Sequence, residues 1–269
     1  MTEVAKSKGD EAIRLFKYVP PERVDILLNE KIAFTRPGNF PDRFEWRLCW
    51  SNAARKEFKR RLFKDVEKRA ELEIPGYRQL SSRQRKKGRK EQTRGIDIET
   101  IGHETFQATI QRESQHFGVL CLSTSEKNHL MWNRYANGFQ GFAIEFDTNH
   151  DEFKKLGACW KVEYVSEPSA YDYSKPTPLF FRFKLKCYEY ESEYRLVRPL
   201  CECFLEKNDR GNELYFRPLP RACIKAVYLG NRMEKTIREN ILGLLKGTTV
   251  QKFDISPSSE DYEFSFRQI

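Results

Sequence analysis

The chain has 269 residues, 39% hydrophobic and 32% charged, with a mean hydropathy of −0.72. That suits one large domain or two small ones, and no apolar run approaches the roughly 18–20 residues of a membrane span. Lys and Arg number 48 against 39 Asp and Glu, a net +9 that points to polyanionic partners. Most of the excess is local. Arg83 to Arg94 holds seven basic residues against one acid, a local +6.

Ile13–Val19 predicts a strand, stopped by Pro20 and Pro21. Glu22–Asn29 predicts a short helix and Lys31–Phe34 a second strand, followed by a turn-rich loop through Phe44. Ser51–Leu72 has helical spacing through Phe58, Leu62, Phe63 and Val66. Ile74–Gly95, with its basic run, reads as an exposed loop or a mobile helix end. Ile96–Phe117 is helical again, so 46–117 is expected to be a helical, basic insert. Gly118–Leu122 predicts a buried strand, Asn128–Ala136 a helical turn and Gly141–Asp147 a further strand. Lys161–Val165, Phe180–Lys186, Tyr190–Val197 and Ala226–Leu229 follow as strands. Asn231–Leu245 predicts a closing helix. The tail Ser256–Ile269 carries little pattern. The expectation is one α+β domain over 1–269, with a mixed, mainly antiparallel core.

Met1–Asp10 is charged, without the apolar stretch of a signal peptide. With an odd count of seven cysteines, this points to the cytoplasm and free thiols. No CxxC pair occurs and no paired His accompanies Cys201 and Cys203, so no metal is expected. GxGxxG, Walker and GxSxG patterns are also missing from the sequence.

Four segments carry residue types suited to chemistry. Residues two apart on a strand share a face, so Glu191 and Glu193 point the same way as Arg195. Two carboxylates about 6–7 Å apart can divide the work. One holds a sugar hydroxyl and steadies a cationic transition state, and the other accepts a proton. The alternative is a solvated strand face in which Arg195 balances Glu193. Ser123, Thr124 and Ser125 end a buried strand, where they can orient a ribose, hold a carboxylate or cap the following helix. Trp132 and Tyr135 are helix neighbours, able to form a stacking wall for a planar ring or to pack a core. Lys17 and Tyr18 end the first strand, where they can bind a phosphate or ribose. Separately, Arg83, Arg85, Lys86, Lys87, Arg89 and Lys90 are candidate nucleic-acid contacts; the alternative is a solubilising loop. Asp42, Glu45, Glu145 and Asp147 form a further conceivable set, a hard-cation site of nuclease type.

Taken in order, Leu15–Tyr18, Phe34–Pro37 with Asn39, Phe40 and Asp42 to Glu45, Leu120–Ser123, Leu130–Trp132 with Tyr135 and Ala136, Gly141–Phe146 and Tyr190–Arg195 resemble a bacterial family, domain of unknown function 2971. The resemblance runs from about 13 to 230, apart from the charged insert. Pro41-Asp42-Arg43-Phe44 stands where the family often has Asn-Asp-Pro-Phe, and Arg134 where it often has His.

Tyr18 before a helix, then Ser123–Ser125, then Glu191-Ser192-Glu193 also resemble, more loosely, the motif order of mono-ADP-ribosyltransferases. That resemblance implies the corresponding fold and an enzyme that cleaves NAD, its substrate, and passes ADP-ribose to a nucleic-acid or protein acceptor. Glu193 would hold the ribose and stabilise its charge, Glu191 would activate the acceptor, and Ser123–Ser125 would orient Glu193 and the nicotinamide ribose. Lys17 or Tyr18 stands in for the usual first-strand Arg or His. A role as a bacterial toxin or defence effector is compatible with it. The competing expectation is a basic nucleic-acid-binding module without NAD chemistry.

Overall fold

The computed structural model describes residues 13–42, 45, 52–167, 181–208, 210–258 and 263–269. The chain divides into two compact units. One comprises 1–45, 114–166 and 181–269, and the other 46–113 with 167–180.

The first unit is built on an eight-stranded sheet. Its order is β13 (Phe264–Gln268), β12 (Gln251–Pro257), β11 (Ile224–Leu229), β4 (Phe142–Phe146), β1 (Leu15–Val19), β3 (Phe117–Ser123), β8 (Glu193–Pro199) and β5 (Ala158–Lys161). Every neighbouring pair is antiparallel except β11 and β12, which helix α7 (Lys235–Leu244) connects. The expected α+β class and mainly antiparallel sheet are therefore present. A smaller sheet joins β2 (Lys31–Phe34), β10 (Glu213–Pro218) and β9 (Phe204–Lys207), and β6 (Glu163–Val165) pairs in parallel with β7 (Phe183–Leu185).

Side-chain alternation gives the main sheet two different faces. Leu15, Val19, Phe142, Ile144, Phe146, Leu120, Leu122 and Leu196 form one aliphatic core, which Ile26 and Leu27 of α1 (Asp25–Leu28) and Phe153 of α6 (Asp151–Lys154) join. Phe16, Tyr18, Ala143 and Tyr228 face the other way and pack on Met131 and Trp132 of α5 (His129–Tyr135). All five residues of β4 are buried, so both faces are covered at the centre.

The second unit contains α2 (Asn52–Glu73), α3 (Ser82–Gln92) and most of α4 (Ile98–His116). Helices span much of the 46–117 stretch expected as a helical insert. Within Ile74–Gly95, Ser81 and Gln84 close a reciprocal capping box that starts α3. Residues 46–51 of the expected insert lie outside the described residues.

Two differences matter. The expected strand Tyr190–Val197 begins only at Glu193, because Lys186–Glu191 is a 3-10 helix and Ser192 is left-handed, with φ 44° and ψ 50°. In the tail Ser256–Ile269, β13 forms the sheet edge and pairs with β12, whose last residues Ser256 and Pro257 fall in the same stretch.

Gly141 and Gly230 sit where backbones touch. A Cβ on either would lie 2.1 Å from a carbonyl oxygen, that of Val19 or of Phe139. Gly141→Ala and Gly230→Ala should each destabilise the fold by about 3 kcal/mol. Gly88→Ala, in open space on α3, should instead stabilise by up to about 1 kcal/mol. Urea midpoints of the three variants test this contrast.

Candidate functional site

The cleft lies where the main sheet opens. β1 runs against β4 over five residues but meets β3 at one register only, Phe16 opposite Ser123. Lys17 Nζ donates to the Cys121 carbonyl at 3.2 Å across this gap. The cleft encloses about 190 Å³. Lys17, Tyr18, Ser123, Tyr135, Glu191 and Glu193 all line it. Thus these six residues, 176 positions apart at the extremes, meet at one place, with Asp42 and Glu45 of the conceivable cation set also on the lining.

Beneath the cleft is a buried ion cluster. Glu193 lies opposite Ser123 and Arg195 opposite Cys121 on neighbouring strands, so the β8 pairing aims both side chains to one face. Arg195 is fully buried. Its Nε reaches Glu193 Oε1 at 2.7 Å, its Nη2 reaches Glu193 Oε2 at 3.1 Å and also Glu45, and its Nη1 donates to the Phe181 carbonyl at 2.8 Å. Lys184 Nζ bridges Glu191 Oε2 at 2.6 Å and Glu193 Oε2 at 2.9 Å, with Glu45 at 3.8 Å. Tyr135 donates its hydroxyl to the other oxygen of Glu191 at 2.7 Å. The expected solvated alternative for Glu191 and Glu193 is not what forms, since both carboxylates are buried.

Electrostatics follow from this packing. Burial alone would raise the Glu193 pKa, but Arg195 and Lys184 outweigh it and hold the carboxyl at about 2. Burial alone would lower Lys184, but Glu193, Glu45 and Glu191 hold its ammonium well above the usual range. For Glu45 burial wins over Arg195 and Lys184, and its pKa rises. Burial lowers Lys17 and raises Tyr18, Tyr135 and Cys121.

The Ser-Thr-Ser corner acts as a clamp. Ser123 donates its hydroxyl to the Glu191 carbonyl at 2.7 Å, and the Thr124 amide donates to the Ser192 carbonyl at 3.2 Å. Ser125 offers its carbonyl to the Tyr18 hydroxyl at 2.5 Å. The helix α5 is capped instead by Asn128, which accepts from the Leu130 and Met131 amides. Thr124 and Ser125 therefore support the site from outside the cleft lining.

Trp132 lies off the cleft. It is fully buried, stacked on Phe139, set edge-on to Tyr18 and bonded through Nε1 to the Glu126 carbonyl. That is the core alternative, with Tyr135 alone of the pair at the site. Glu145 is likewise elsewhere, bonded to Arg14, Tyr228 and Lys225, so the carboxylates of the nuclease set are split between two clusters. Arg43 and Phe44 lie outside the described residues. Among the described residues no group of three His, Cys, Asp or Glu is placed to hold a metal ion. The basic candidates Arg83, Arg85, Lys86, Lys87, Arg89 and Lys90 all fall on α3, in the helical unit.

Sequence reasoning missed Lys184 and Tyr164, whose hydroxyl accepts the Glu193 amide at 2.7 Å. A signal for Lys184 existed. Arg182, Lys184 and Lys186 alternate with Phe181, Phe183 and Leu185 shortly before the two carboxylates.

No protein-family model, curated protein or solved structure matches the chain.

Glu193 titrates at about 2 in the fold against an ordinary 4.5. A depressed folded pKa stabilises above the unfolded value, and that contribution is lost as pH falls through the folded one. Stability to urea should therefore drop between about pH 4.5 and 2, and Glu193→Gln should flatten that drop. An unchanged pH slope in this variant would exclude the ion cluster as its cause. Lys184→Met, which leaves buried carboxylates without their bridging cation, should lower the unfolding free energy by about 3–5 kcal/mol.

Proposed function

We propose that the chain is an ADP-ribosyltransferase-like enzyme that cleaves NAD and transfers ADP-ribose to a macromolecular acceptor. The observation that carries this is the meeting of Lys17, Tyr18, Ser123, Tyr135, Glu191 and Glu193 around one cleft. In such a reaction the bond between ribose C1′ and the nicotinamide nitrogen breaks, with its electron pair leaving on nicotinamide. The sugar becomes oxocarbenium-like, as in glycoside cleavage. The acceptor's lone pair forms the new bond to C1′, and its proton goes to a base.

The two carboxylates suit different roles in this scheme. Glu193 takes three charged hydrogen bonds, from Lys184 and twice from Arg195, and its depressed pKa keeps it an anion. It supplies fixed negative charge beside the sugar. Glu191 takes one bond from Lys184 and one from the neutral Tyr135 hydroxyl. A carboxylate has about four acceptor positions, so Glu191 keeps room for a sugar or acceptor hydroxyl. Glu191 is therefore the base in this scheme. Lys17, on the cleft wall, suits a phosphate of the dinucleotide.

Nicotinamide release from NAD, with and without cell lysate as acceptor source, tests the proposal. Glu191→Gln should reduce release by at least about 100-fold in protein that circular dichroism shows to be folded. Absence of release in the presence of lysate, or undiminished release by Glu191→Gln, would overturn it.

A further inference from the structure

Helix α3 carries six basic residues and one acid, and its rotation sorts the basic ones into two faces. Arg85 and Arg89, four residues apart, turn to Glu67 of α2 at 3.8 and 2.9 Å. Arg83, Lys86, Lys87 and Lys90 follow the i, i+3, i+4, i+7 pattern, which makes one stripe on the opposite side. All four are exposed, and none makes an ion pair among the described residues. Glu67 thus ion-pairs with both inner arginines and fixes the rotation that turns the outer four to solvent.

The neighbouring helix shows the ordinary alternative at its arginines. On α2 three exposed arginines are met by acids of the same helix, Arg60 and Arg61 by Glu57 and Arg69 by Glu73, while the exposed Lys56, Lys59, Lys64 and Lys68 make no ion pair among the described residues. On α3 the stripe places like charges three and four apart, which weakens a helix in isolation. A polyanion docked along it removes that repulsion. The stripe is about 10 Å long at 1.5 Å per residue, which matches about three base steps of 3.4 Å along one strand. No aromatic residue lies on α3 to stack an unpaired base. A regular row of phosphates fits this face better than splayed single strands do.

We propose that the Arg83, Lys86, Lys87 and Lys90 face of α3 docks on the backbone of duplex nucleic acid, by phosphate contact and without reading base sequence. This inference rests on the helical unit alone and is independent of NAD chemistry in the cleft.

Fluorescence anisotropy of the full chain with a mixed-sequence DNA duplex, its separated strand and vesicles containing phosphatidylserine tests it. Duplex affinity should fall with salt at a slope of log K against log salt near −3.6 for four phosphates, at about 0.9 each. Replacing Lys86 and Lys87 together by Gln should lessen the slope by about 1.8 and leave the urea midpoint unchanged. Duplexes of unrelated sequence should bind equally. The proposal is overturned by lack of duplex binding at about 50 mM salt, by a slope that ignores the Lys86 and Lys87 substitutions, or by tighter binding to the single strand or the vesicles.

Discussion

The ammonium of Lys184, held between Glu191 and Glu193, decides how the cleft is built. Three buried carboxylates share this space with two buried cations. Any one of these charges alone in an apolar interior would be strongly unfavourable. Together they form a cluster in which each member requires the others. Two adjacent carboxylates without an intervening cation raise one another's pKa until one takes a proton. Lys184 lies between them, touching Oε2 of both, and so sets their spacing. The cluster also locks distant parts of the chain together, because Glu45 and Arg195 are 150 positions apart.

The hydroxyl corner at the end of β3 solves a backbone problem next to that cluster. Ser192 adopts a left-handed conformation that a non-glycine residue rarely holds without support. The Glu191 carbonyl before it accepts from the Ser123 hydroxyl, and its own carbonyl accepts from the Thr124 amide. The left-handed residue ends the 3-10 helix and starts β8, and in doing so delivers Glu191 and Glu193 to one ammonium. The opening between β1 and β3 then gives access from the cleft. A sheet paired continuously from β1 to β3 would leave no gap there for Lys17.

The parts of this arrangement legible in the sequence are those fixed by local pattern. The continuous apolar run of β3 and β4, the amphipathic α5 and the helical insert follow from hydrophobic spacing alone. That Glu191 and Glu193 share a side was also legible, although by strand alternation, whereas a left-handed turn at Ser192 produces it. Lys184 was not legible as a buried residue. Alternating basic and apolar residues read equally well as a solvated edge, and only carboxylates brought in from β8 and from Glu45 make burial of this lysine favourable. The tail strands β12 and β13 are polar on much of their surface, and their pairing depends on a sheet edge formed elsewhere. The start of α3 carried a local signal in Ser81 and Gln84, but the charge run obscured it. The ion pairs that steady the helix reach back to Glu67.

The charge of the cluster matters for any cationic species in the cleft. With Glu45, Glu191 and Glu193 ionised against Lys184 and Arg195, the cluster carries one net negative charge. Burial raises the pKa of Glu45, and a proton there makes the cluster neutral. Glu193 stays an anion in either state, so the local field at its carboxylate persists while the net field changes. Burial also lowers the pKa of Lys17, which weakens the opposing positive charge on the cleft wall. Both shifts come from the same desolvation, and they act in opposite directions on the potential. A bound anion near Lys17 would favour its ammonium and counter that shift, so occupancy of the Lys17 wall by phosphate and the field at the carboxylate pair are linked.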